Sequence, residues 1–314
     1  MIKTRINEII GIEYPLFQGG MAWISDGRLA AAVSEAGSLG IIASGNAPAE
    51  YVLEQIRIAA SLTDKPFGVN LMLMSPYADD IAEIIAQEKV KVVTTGAGNP
   101  LKYMKRWKEA GVVVIPVVAS VAMAKLMTRV GASALIAEGT ESGGHVGELT
   151  TMTLVPQICS CTDLPVIAAG GIADGRGFAA AFMLGAEGVQ MGTRFLLANE
   201  CCIHRNYKDR LIKAGDLDTV VTGRRLGHPI RSLKTPFSRE YAKAEYSDIS
   251  DEDLEKMGEG TVRLAVQEGD VSGGTFLAGQ AAAMISKEQS AEEIVKEICE
   301  EAENCLKGGC KWVR

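Results

Sequence analysis

The stretch Pro165-Val166-Ile167-Ala168-Ala169-Gly170-Gly171-Ile172-Ala173-Asp174, with its sequel Gly188-Val189-Gln190-Met191-Gly192-Thr193-Arg194, decides the fold. Each half is a short, continuously apolar run that ends in glycine. A run with no polar alternation predicts a strand buried on both faces, as in a parallel sheet. Between the two, residues 177–184 carry a helical pattern that stops at Leu184-Gly185, a helix C-terminal signal. The unit is therefore strand, glycine loop, helix, strand.

The same unit recurs upstream. Apolar runs predict strands over 14–18, 39–43, 67–72, 90–95, 112–118 and 134–137. Helical patterns over 26–35, 49–61, 77–88, 101–109, 121–130 and from about 152 separate them. With the two runs above, eight strands predict a (β/α)8 TIM barrel. The rival is an open doubly wound sheet, whose G-x-G-x-x-G fingerprint would follow the first strand; Gly19-Gly20-Met21-Ala22-Trp23 does not fit it. A chain of 314 residues accommodates a barrel of roughly 250 residues with extra segments.

After Phe195 the rhythm breaks. Residues 200–275 are polar and charge-rich, with helical stretches over 206–214 and 251–257, and an amphipathic helix over 292–306 follows. Three regions are expected: a barrel over 1–200, a polar helical cap near its mouth over 201–275, and C-terminal helices over 276–314 packing on the barrel.

Composition narrows the function. Lys and Arg number 32 against 39 Asp and Glu, a net charge of −7. That balance argues against a nucleic-acid partner, which needs a basic footprint. No apolar run approaches the ~20 residues of a membrane span. The mixed charges of residues 1–8 do not read as a secretion signal. Seven cysteines, an odd number with no C-x-x-C, fit a reducing cytoplasmic setting. Cys159 and Cys161 have no matching second pair, so no metal site is expected.

In such barrels chemistry gathers at the C-terminal strand ends, and phosphate is usually held after the last two strands. Those loops are Ala169-Gly170-Gly171 and Met191-Gly192-Thr193. Paired glycines let backbone N–H groups approach an anion, and Thr193 adds a hydroxyl. One such pair alone is an ordinary tight turn; two, at these two loops, predict phosphate binding. Asn70, inside the apolar run Gly68-Val69-Asn70-Leu71-Met72, is either a paired core amide or a mouth-facing partner for a planar heteroaromatic ligand. His145 sits in the glycine-rich loop 137–148 after the sixth strand. A histidine there can donate a proton or a strong hydrogen bond to a developing oxyanion, against the plainer reading of a structural loop histidine. His204 and His228 are read as structural. Arg224, Arg225 and Arg231 are read as solvated cap charges, with contact to an anionic substrate as the alternative, Cys201-Cys202 as packing, and Met72-Leu73-Met74 as core or an apolar wall beside a ring or acyl chain.

Taken together, Gln18 to Trp23, Asp64 to Asn70, Thr94-Thr95-Gly96-Ala97-Gly98-Asn99-Pro100, Gly143-Gly144-His145, Ala169 to Gly175 and Met191 to Phe195 resemble the nitronate monooxygenase superfamily of FMN-bound barrels. The resemblance covers nearly the whole chain, including Gly279-Gln280-Ala281-Ala282; within the superfamily, Thr94 to Pro100, with Leu73-Met74-Ser75-Pro76 and Glu148 to Met152, resemble the K-type enoyl-acyl-carrier-protein reductases II of bacterial fatty-acid synthesis. The resemblance implies one FMN per chain, with its phosphate on Gly170, Gly171, Gly192 and Thr193, flanked by Ala169 and Met191. It implies ring and ribityl contacts from Gly19, Gly20, Met21, Asn70, Thr95 and the Ser142-Gly143-Gly144 turn, with His145 as the catalytic histidine. It further implies reduction of 2-enoyl thioesters carried on acyl carrier protein, with NADH or NADPH as hydride donor. A homodimer and a monovalent cation are implied too, the cation without identifiable ligands. The alternative activity is oxidation of alkyl nitronates by O2. Val118-Ala119-Ser120 departs from the family pattern, which usually has a proline there.

Overall fold

The computed structural model describes residues 2–309, so Cys310 lies outside the described residues. In chain order its strands are β1 (Leu16–Gln18), β2 (Gly40–Ala43), β3 (Phe67–Met72), β4 (Val92–Gly96), β5 (Val113–Val118), β6 (Leu135–Glu138), β7 (Gly144–His145), β8 (Val166–Ala169), β9 (Gly188–Met191), β10 (Thr219–Thr222) and β11 (Ile230–Leu233). Eight of them form one parallel sheet in the order β1-β9-β8-β6-β5-β4-β3-β2. A parallel bridge between Phe17 and Leu39 joins the first strand of that order to the last. The result is a (β/α)8 TIM barrel.

The helices are α1 (Arg5–Ile10), α2 (Gly27–Glu35), α3 (Ala49–Leu62), α4 (Ala78–Gln87), α5 (Leu101–Glu109), α6 (Val121–Val130), α7 (Thr151–Cys159), α8 (Gly175–Met183), α9 (Arg205–Ile212), α10 (Pro236–Glu245), α11 (Asp251–Gly258), α12 (Thr261–Gln267) and α13 (Ala291–Gly308). Several starts are set by side-chain caps: Asp26 accepts from Leu29 N, Ser120 from Met123 N, and Asp174 from Gly177 N. A capping box of Ser290 and Glu293 starts α13. Helices α2 to α8 cover the barrel in turn, and α13 packs between α8 and α2 in the eighth position.

Strand alternation divides the core. Phe17, Leu39, Ile41, Val92, Ile115, Ile136 and Ile167 fill the barrel interior, and the intervening residues pack outward against the helices. The sequence patterns do not announce α1. Its Ile6 and Ile10 join the interior cluster, plugging the barrel at the N-terminal ends of the strands. Its six residues are too few to show a period.

Residues 201–275 are not purely helical. Besides α9 to α12 they hold β10 and β11, an antiparallel pair. β11 pairs in turn with β7, setting Ile230 opposite His145 and Arg231 opposite Gly144. Helices α10 and α11 share a small core of Phe237, Tyr241 and Leu254. No helix among the described residues is long and apolar enough to cross a membrane.

Candidate active site

The strands' C-terminal ends open into a cavity of about 380 Å³, within the usual range for a small-molecule site. At β1, the buried Gln18 amide accepts from Ile41 N and donates to Ser25 Oγ, and Ser25 Oγ accepts from Met21 N. These bonds fix the loop that carries Gly19, Gly20 and Met21, all of which line the cavity. A Cβ on Gly20 would lie 2.5 Å from the Asn70 Cβ, so no other residue lets this loop sit so close to β3. Asn70 faces the cavity and donates to Thr94 Oγ1 at 2.9 Å.

That bond identifies a correction. The structure does not bring Thr95 to the cavity. Val92 faces the barrel interior and Val93 the outer helices; alternation therefore turns Thr94 inward and Thr95 outward. Thr95 is buried, and its hydroxyl has no hydrogen-bond partner among the described residues.

Opposite Asn70 lie the two glycine loops. Gly170 and Gly171 both have positive φ, +94° and +72°, a conformation that aims successive N–H groups into one concavity. A Cβ on Gly170 would sit 2.8 Å from Gly139 O. Across from them, Gly192 precedes a 3₁₀ helix over Thr193–Leu197, whose first N–H groups lack intrahelical acceptors. Thr193 Oγ1 accepts from Gly279 N at 2.9 Å, which leaves its own proton to donate. Ala169, Gly170, Gly171, Met191, Gly192 and Thr193 all line the cavity. A cradle of N–H groups and one hydroxyl, with no room for a Cβ at Gly170, is a fit for a phosphate monoester.

His145 lies on the rim on β7, beside Ser142, Gly143 and Gly144, and all four face the cavity. Its position comes from the cap: β11 pairs with β7, and Val146 N donates to Pro229 O. Although it is exposed on the rim, partial desolvation by the cavity wall holds the imidazole below its usual range, and the nearby His228 adds to the effect. The ring is thus neutral near pH 7. Among the described residues it has no hydrogen-bond partner, so both nitrogens are available to a ligand.

The structure also corrects the arginine reading. Arg231 is buried, and its guanidinium donates to Thr140 O at 3.2 and 3.1 Å and to Thr219 Oγ1 at 3.0 Å. It ties the cap to the His145 loop. Arg225 donates to Ser247 O and Ile249 O, while Arg224 stays exposed beside Glu148. The methionine run divides: Met72 lines the cavity and Met74 is exposed. His204 caps α9 through Nδ1. Cys201 is buried and Cys202 exposed.

Sequence reasoning passed over Glu138 and Gln190, both in the cavity wall. Glu138 was legible in principle, since it stands two residues after the inward-facing Ile136 at a strand end. The segment Leu277–Gly279 is also in the wall; Gly279 opens the Gly279-Gln280-Ala281-Ala282 stretch that shares the family resemblance, whereas Leu277 and Ala278 carry no motif.

Comparisons with known proteins agree with this geometry. The nitronate monooxygenase family model matches residues 3–87 and 77–301. A solved structure described as FabK from Thermotoga maritima superposes with a TM-score of 0.97 at 48% identity, covering 100% of both chains. A probable nitronate monooxygenase of Staphylococcus aureus is 32% identical over 310 residues, 84% of this chain and 87% of its own. A (3aS,4S,5R,7aS)-5-hydroxy-7a-methyl-1-oxo-octahydro-1H-indene-4-carboxyl-CoA dehydrogenase of Mycobacterium tuberculosis is 42% identical over 237 residues, 74% of this chain and 67% of its own.

Proposed function

The chain belongs to the nitronate monooxygenase family, a family of oxidoreductases, and from that premise we propose that it is an FMN-dependent enoyl-[acyl-carrier-protein] reductase. The observation that carries this reading is the full-length match to FabK at 48% identity. The cavity supports it independently, because the two glycine loops suit a phosphate and Asn70 suits the edge of a planar ring.

When bound, FMN would supply hydride chemistry, taking hydride from NADH or NADPH and giving it to the β-carbon of a 2-enoyl thioester. The chain's own groups supply the rest. Gly170, Gly171, Gly192 and Thr193 hold the phosphate; Gly19, Gly20, Met21, Asn70 and the Ser142–Gly144 turn orient the ring. His145 sets an N–H against the thioester carbonyl oxygen, where charge develops as hydride arrives at the β-carbon, and the α-carbon of the resulting enolate takes a proton from His145 or from solvent. A positioned donor of this kind contributes on the order of 10²–10³ in rate. A homodimer acting in the cytoplasm on acyl chains attached to carrier protein belongs to the same reading.

The likeness to the Staphylococcus aureus protein favours one second reading, oxidation of alkyl nitronates by O2. Anaerobic mixing of the yellow protein with NADH, with NADPH and with a nitronate separates the two. Rapid bleaching by a nicotinamide, reversed by crotonyl thioester, is the expected result. Bleaching by nitronate alone would overturn the reductase assignment.

A further inference from the structure

One carboxyl group has no role in the scheme above. Glu138 ends β6 and points into the cavity, because Ile136, two residues earlier, belongs to the barrel interior. The parallel register sets Glu138 level with Ala169, whose next residue is Gly170 of the phosphate cradle. Among the described residues no cation compensates it. The charged groups around it are engaged elsewhere. Glu141 accepts from Thr151 N and Oγ1. Arg231, across on β11, donates to Thr140 O and Thr219. His145 is held below its usual range. Burial without a counter-charge pushes the Glu138 carboxyl up to about 7, and the neighbouring Ser142 hydroxyl opposes this only in part.

A phosphate dianion entering beside such a group makes its ionised form costlier still, since like charges in a poorly solvated cavity repel. Protonated, the same group stops repelling and becomes a hydrogen-bond donor. We propose that Glu138 contacts the bound cofactor as a neutral carboxylic acid, so that each FMN entering the cavity above neutral pH brings one proton with it. The proposal rests on the reading of this cavity as an FMN site.

The test is calorimetric titration of flavin-free protein with FMN between about pH 7.5 and 9, in buffers of differing ionisation enthalpy. In that window the phosphate, with its second pKa near about 6, is already a dianion, and His145 is already neutral. Neither contributes protons. Wild-type protein is expected to take up close to one proton per FMN, with affinity falling up to about tenfold per pH unit. E138Q is expected to bind FMN with no net uptake and an affinity that is flat in pH. Wild-type protein that binds FMN without taking up a proton overturns the inference, whether or not the variant folds. So does an E138Q protein that keeps the wild-type slope. Protein that binds no FMN at any pH removes the site reading and this inference together.

Discussion

Glu138 at the end of β6 and His145 on β7 line one cavity, yet desolvation moves them in opposite senses. A histidine is charged when protonated and a carboxyl when deprotonated, so the same desolvation lowers one and raises the other. Near pH 7 both therefore carry less charge than they would in water, the carboxyl being about half protonated there, which suits a site that must admit an anionic phosphate and then stabilise a developing oxyanion. Replacing His145 with alanine removes the donor but none of the glycine cradle. The variant is expected to purify with its flavin spectrum intact while kcat for crotonyl thioester falls on the order of 10²–10³-fold. Wild-type turnover by that variant would remove His145 from the chemistry. Glu138 carries a stability prediction as well. Its folded pKa, about 7, lies above the ordinary 4.5, so between those values the folded state holds more protons than the unfolded one. Stability from this group is present at low pH and lost as pH rises through about 7. Flavin-free E138Q should therefore gain on the order of 2 kcal/mol over wild type between about pH 5 and 8, read from urea midpoints. A pH-independent difference would show that the carboxyl is already ionised. At this scale the sequence was readable wherever a residue type is diagnostic, as with His145 and the glycine pairs. It was less so for Thr94 and Thr95, where two adjacent threonines carry the same letter and only strand direction shows which one faces Asn70.

At the scale of elements, the β7–β11 pairing decides whether the histidine is in place. β7 is two residues long and has no apolar character of its own; it exists because β11 supplies its partner. The guanidinium of Arg231, buried between them, holds Thr140 at the base of the same loop. Arg231→Ala would leave the part-buried Thr140 carbonyl without its donor, at a cost of about 1 kcal/mol. Since none of the phosphate contacts lies on β11, the expected signature is a lowered kcat with FMN content unchanged, and partial recovery in Arg231→Lys. Equal loss of flavin and activity would mean that Arg231 supports the whole cavity instead. The eight barrel strands were legible because each is buried on both faces and reads as an unbroken apolar run. β10 is half-buried along its whole length and begins and ends in threonine, and β11 carries Arg231 and Ser232 between Ile230 and Leu233. Neither produces the run or the alternation that marks a strand, so the segment reads as polar and helical. Its function, pairing with the loop of another element, is a tertiary fact that no local pattern carries.

Across the whole molecule, the barrel separates what holds it together from what it does. Chemistry gathers where the strands end, under a cap inserted between β9 and the helix α13 that completes the outer ring. At the opposite end, α1 pushes Ile6 and Ile10 into the barrel interior, both essentially without solvent exposure. A capping box of Thr4 and Asn7 starts the helix, and the Thr4 hydroxyl donates to Glu187 O just before β9. The plug therefore closes the floor beneath the same strands whose far ends carry Gly192 and Thr193. If the two ends are independent, Ile10→Ala should cost on the order of 2–4 kcal/mol through the cavity it leaves, lowering the unfolding midpoint. FMN affinity and kcat of the folded protein should stay at wild-type values. If the barrel interior transmits the defect, layer by layer through Phe17 and Ile41 toward Gly20, FMN affinity should fall with stability. Measuring both quantities on one variant decides between a rigid barrel that insulates its mouth and one whose site depends on its floor.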